Sequence, residues 1–87
     1  MSKKHDRTLA AIFENPVPAG IRWRDIESLF VHLGAEITAG RGSRVRVFLN
    51  GVRAVFHRPH PQPDTDKGAV MSVRAFLTAA GVAPCRT

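Results

Sequence analysis

Two histidines, His57 and His60, are the side chains in this 87-residue chain best suited to move a proton. They lie in "VRAVFHRPHP", residues 52–61, and between Ile37 and Pro63 there are five arginines and no carboxylate. Neighbouring cations disfavour a protonated imidazole, so His57 is expected to act as a neutral base. Such a base can take a proton from a ribose 2′-hydroxyl while guanidinium groups steady the charge developing on the phosphate. His60 is a weaker candidate for a second acid or base, or for a phosphate contact. The plainer alternative for either is a solvated surface histidine. Two histidines with no carboxylate or thiolate beside them make a poor metal site, and no metal or other cofactor is expected. The single cysteine, Cys85, stands beside Pro84. It excludes an internal disulfide and fits a reducing cytosol. No charged-then-apolar leader and no long apolar run is read, so neither a signal peptide nor a membrane span is expected.

The arginines need an explanation of their own. Thirteen Lys and Arg face seven Asp and Glu, for a formal charge of +6, and ten of the thirteen are Arg. Arg forks onto phosphate and stacks on bases in ways that Lys does not. Basic and apolar residues alternate through "SRVRVFL" and "VRAVFH", on either side of Asn50-Gly51. That dipeptide between two alternating runs predicts a two-residue hairpin, because a type I′ turn needs positive φ at both positions. Leu49 then pairs with Val52, Val47 with Ala54 and Val45 with Phe56. These six apolar side chains share one side of the sheet, where helices should cover them.

The opposite side collects Arg44, Arg46, Phe48, Arg53, Val55 and His57. Opposed cations repel by a few tenths to ~1 kcal/mol, and a surface built only for solubility mixes its signs. A face of one sign therefore suits a polyanion or an acidic protein. Phe48 either offers a ring to an unpaired base or packs beneath a loop. The candidate RNA-contacting residues are Arg41, Arg44, Arg46, Phe48, Arg53 and Arg58.

The elements that must hold this face can be read in outline. Asp6 is expected to cap a short first helix carrying Leu9, Ile12 and Phe13. "NPVPAG", 15–20, then stops that helix. "WRDIESLFVHLG", 23–34, puts Ile26, Leu29, Phe30 and Leu33 on one stripe, with Gly34 as the stop. Trp23 packs at the start of this helix or stacks on a base, and His32 falls off the stripe toward solvent. "AEIT", 35–38, is a short strand, and "AGRG" is a turn that carries Arg41. Three prolines keep 58–64 irregular. Asp64, Thr65 and Asp66 offer caps to a last helix over about 67–80, with Val70, Val73, Phe76 and Leu77 inward and Gly81 at its end. The expected fold is α+β: a three-stranded antiparallel sheet with helices on one face. The expected organisation is a single domain, 1–87, with an extension over 1–20, a core over 21–82 and a tail over 83–87.

"LGAEITAGRGSRVRVFLNGVRAVFHRPHP" followed by "DKGAVMSVRAFLTAAGV" resembles the HicA toxins of bacterial toxin–antitoxin pairs. The landmarks are Gly34 after the helix, Gly42-Ser43 opening the second strand, and His60-Pro61 before the last helix. The resemblance covers about 22–81. It implies a double-stranded-RNA-binding-domain-like fold, messenger-RNA cleavage, and a HicB antitoxin as partner; with no metal site expected, that cleavage would be metal-independent. In the family the catalytic histidine follows the Gly-Ser pair; here Arg44 and Val45 stand there, so no histidine carries over. Either the activity has moved, with His57, paired with Arg44 across the hairpin, entering the same neighbourhood from the adjacent strand, or this member binds RNA without cutting it.

Overall fold

In the computed structural model, which describes residues 3–59 and 63–84, the hairpin forms in the expected register. Strand β3 (Arg44–Leu49) and strand β4 (Val52–His57) are joined by Asn50 and Gly51, with φ of 49° and 83°. Both turn residues are left-handed, as a type I′ turn demands. Strand β2 (Glu36–Ala39) pairs with the other edge of β3, giving an antiparallel sheet in the order β2-β3-β4.

One side of this sheet is dry. Val45, Val47 and Leu49 are buried, as is Phe56 on β4. They meet helix α2 (Trp23–His32) through Ile26, Leu29 and Phe30, and helix α3 (Lys67–Ala79) through Val70, Val73, Phe76 and Leu77. The aromatic centre is tight: the Phe30 ring lies 5.8 Å from Phe56 and 5.6 Å from Phe76, centroid to centroid. Trp23 joins it 5.8 Å from Phe56. Its deep burial makes Trp23 a core residue rather than a base-stacking one. Gly34 closes α2, with the Ala35 N–H donating to the Phe30 carbonyl at 2.9 Å.

Three features depart from the sequence-based expectation. Helix α1 (Lys3–Ile12) begins upstream of Asp6, so Asp6 sits in the first turn rather than at the cap. There its charge still suits the positive end of the helix dipole. Leu9 and Ile12 are buried in the common core. Arg74 on α3 secures the end of this helix: it donates to the carbonyls of Ile12 (2.8 Å) and Glu14 (2.7 Å) and to the Asn15 side chain (3.1 Å). These carbonyls lie at and just beyond the end of a helix, where intrahelical donors run out.

Second, Asp64 and Thr65 are not caps. They form strand β5 (Asp64–Thr65), antiparallel to strand β1 (Ile21–Arg22). Only Asp66 occupies the cap position of α3, and its side chain makes no capping hydrogen bond. Third, Asn50 does more than turn the chain. Its Nδ2 donates to the Ala80 carbonyl at 2.9 Å, tying the hairpin tip to the end of α3.

Candidate nucleic-acid interface

The helices cover only the inner side of the sheet. The outer side is an open surface whose side chains fall into rows across the strands. Nearest the Asn50-Gly51 turn, Glu36, Phe48 and Arg53 lie side by side. The next row is Thr38, Arg46 and Val55, and at the far end Arg44 lies beside His57. All of these side chains are exposed.

The hydrogen-bond pattern sharpens this arrangement. The Arg58 N–H donates to the Ser43 carbonyl at 2.8 Å, so residues 43 and 58 form a hydrogen-bonded pair. Alternation along an antiparallel ladder then places 44/57, 46/55 and 48/53 at the non-hydrogen-bonded positions, where opposed side chains approach most closely. Between β2 and β3, the Gly40 N–H donates to the Arg44 carbonyl at 2.8 Å. By the same alternation, Glu36 and Phe48 form a hydrogen-bonded pair, with the wider spacing between side chains.

The chemistry of this face follows from its members. The Arg53 guanidinium lies over the Phe48 ring, 5.4 Å from its centroid. Phe48 stays 38% exposed and Val55 56%, so neither is packed beneath a loop. Glu36, Thr38, Arg46, Phe48, Arg53 and Val55 line a shallow concavity of about 410 Å³. Cations, an exposed ring and a groove form the combination that holds single-stranded nucleic acid. Arg41 is exposed in the loop before β3, at the same end as Arg44 and His57. On the α3 side of the sheet edge, His57 shares a smaller recess with Asp66, Ala69 and Ser72.

Arg58 stands apart from the rest of the expected set. Side chains past the end of β4 keep the strand's alternation, so an even-numbered residue turns toward the helices. Arg58 makes a forked ion pair with Glu27 on α2, Nε to Oε2 at 2.7 Å and Nη2 to Oε1 at 3.0 Å. Glu27 also accepts the indole N–H of Trp23. The Arg58 hydrogen bonds, aided by the indole and opposed by partial burial, hold the Glu27 carboxyl below its ordinary range. Arg58 thus fastens the end of β4 to α2 and does not share the face of Arg44, Arg46 and Arg53.

His60 and Cys85 lie outside the described residues. His32 is exposed, as expected, but its ring stacks on His5 at 4.4 Å, and His5 Nε2 shares a 2.8 Å hydrogen bond with Ser28 Oγ. Among the described residues, no group of three or more His, Cys, Asp or Glu could hold a metal ion.

Glu36 is the member of the face that the sequence pattern alone does not single out. It stands one residue before the carboxylate-free stretch, on a strand too short to announce its register. Extending the even-out parity of β3 across to β2 would have found it.

A family model described as the HicA toxin of bacterial toxin-antitoxin matches residues 23–82. The chain belongs to the HicA toxin family. The match runs from α2 to just past α3 and so contains the whole arginine face of this HicA-family protein. Helix α1 and strand β1 lie before it. Neither the comparison with curated proteins nor that with solved structures returned a match. Gly34 ends α2, and Gly42-Ser43 leads into β3. Arg44, the first residue of β3, occupies the place after the Gly-Ser pair and sits directly across the ladder from His57. No described helix is long and apolar enough to cross a membrane.

Proposed function

We propose that this HicA-family protein binds single-stranded messenger RNA in the cytoplasm on the outer face of its sheet. It cleaves that RNA without a metal and is held in check by a HicB-like antitoxin covering the same face. The observation that carries the reading is the register: Arg44 and His57 are nearest cross-strand neighbours on the open face, with Arg46 and Arg53 continuing the same surface. His57 takes the proton from the attacking ribose 2′-hydroxyl. The hydroxyl oxygen then bonds to the adjacent phosphorus, and the 5′-oxygen leaves with a proton from solvent or from His60. Arg44 neutralises the charge gathering on the phosphate oxygens, the role for which a fixed guanidinium suits best. Arg41, Arg46 and Arg53 position the strand, and Phe48 stacks a base.

The test is cleavage of a single-stranded RNA in EDTA by the wild type and by His57→Ala. The expected result is loss of cleavage by a factor of about 10²–10⁴, the usual worth of a general base, with RNA binding retained. Equal rates would remove His57 from the chemistry.

A second reading is favoured by Arg44 standing where the family has its histidine: RNA binding that blocks translation by occupancy alone. It expects salt-dependent binding and no cut RNA from either protein.

A further inference from the structure

The outer face contains one group that a phosphate-binding surface does not need. Glu36 is a carboxylate on an otherwise cationic sheet. The ion pairs among the described residues are Lys4–Asp25 and Arg58–Glu27, and Glu36 takes part in neither. A carboxylate that neither pairs with a neighbour nor is buried lowers the affinity of the whole face for a polyanion. Its position shows what it can offer in return. It is the Cα partner of Phe48, lies on the same outer side, and lines the concavity into which the Phe48 ring and Arg53 also project.

We infer that this end of the face reads a guanine, which stacks on Phe48 and donates its N1–H and 2-amino N–H to the Glu36 carboxylate. The inference rests on the RNA-binding reading and names the base that reading leaves open. An ionised carboxylate is an acceptor only, with two oxygens side by side. Guanine is the one common base whose pairing edge presents two adjacent donors. Adenine and cytosine each present one exocyclic donor beside a ring acceptor, and uracil presents one N–H between two carbonyls that the carboxylate repels. Unpaired bases are read in this way, by stacking on an aromatic ring with hydrogen bonds to their pairing edge. The wider hydrogen-bonded spacing between Glu36 and Phe48 leaves room for a base on the ring with its edge turned to the carboxylate. Arg53, which covers the Phe48 ring in the free protein, gives up that place to the base and turns to the flanking phosphate.

The rows also separate recognition from chemistry. Phe48 and Arg44 are four residues apart on one strand, which at about 3.4 Å per residue is roughly 14 Å. The guanine read at Glu36 is therefore not the base carried by the ribose next to His57.

The experiment uses the full chain and 2′-O-methyl oligonucleotides, which cannot be cut through the 2′-oxygen. Each is all uridine or carries one central guanosine, inosine or adenosine, and binding is followed by fluorescence anisotropy at several salt concentrations. The wild type is expected to favour guanosine over adenosine and over all-uridine by about tenfold or more, the usual worth of a well-placed two-bond contact to a base. Inosine, which lacks the 2-amino group, falls between. Glu36→Gln, an exposed change, is expected to erase the guanosine preference while binding the all-uridine strand more tightly than the wild type does. A wild type indifferent to the central base overturns the inference, as does a guanosine preference that survives Glu36→Gln and so comes from stacking alone. If the all-uridine strand binds with a steep salt dependence but guanosine adds nothing, only the guanine site falls. If no strand binds, the RNA-binding reading falls with it.

Discussion

Inside the sheet, Val45, Val47 and Leu49 meet two helices and an aromatic cluster. Outside it, one residue out of step along the same strand, Arg44, Arg46 and Phe48 stand in solvent. The backbone is common to both sides, and only the parity of the side chains differs. Every inner residue is accounted for by apolar burial, the main favourable term in folding. The outer residues are not. They place like charges close together and leave a ring and a valine exposed, and folding gains nothing from either choice. A surface that stability does not explain is best explained by what it binds.

The sharpest way to break this contrast is to move a cation across the sheet. Val47→Arg puts an unpaired charge where Val47 is 1% exposed, at a cost of about 3–5 kcal/mol. A thermal melt should show the fold abolished or grossly weakened; a native-like melting temperature would mean that the inner side is not the core. The reverse move lies outside. Arg46→Ala combined with Arg53→Ala should leave stability within about 0.5 kcal/mol of wild type. It should reduce the slope of log affinity for single-stranded RNA against log salt by roughly 0.7 for each phosphate that is no longer neutralised. An unchanged slope would show that these arginines touch no phosphate.

The smallest effect is expected from Arg58, the arginine that pairs with α2 instead of joining the outer face. Because the folded state holds the Glu27 carboxyl below its ordinary value, the ion pair stabilises the protein above the unfolded-state value of about 4.3. That contribution fades as pH falls from there through the folded-state value. Glu27→Gln should therefore flatten the acid limb of stability against pH and leave RNA affinity almost untouched. Parallel acid limbs for the two proteins would show that the pair adds no stability.

How much of this was legible in the sequence depended on pattern length. The hairpin was readable because six alternating residues on each side of Asn50-Gly51 fix both parity and register. The α2 and α3 stripes were readable for the same reason at helical spacing. Strand β2 has four residues and no turn dipeptide to set its partner, so nothing in its own pattern placed Glu36. The β1–β5 bridge has two residues per strand and no period at all. Arg58 follows the strand's alternation one step beyond its end, where the pattern of apolar residues has already stopped. Nothing local marks Arg74 as the side chain that holds the end of a helix some sixty positions earlier.

The hydrogen bond from Asn50 to the Ala80 carbonyl has a mechanical consequence. The tip of the hairpin and the tail end of α3 are coupled as parts of one lever, and Arg74 links that helix in turn to α1. A partner that grips the tip loads all three at once. A dye attached near the end of α3 would then report that grip from the helical layer, off the outer face where binding takes place.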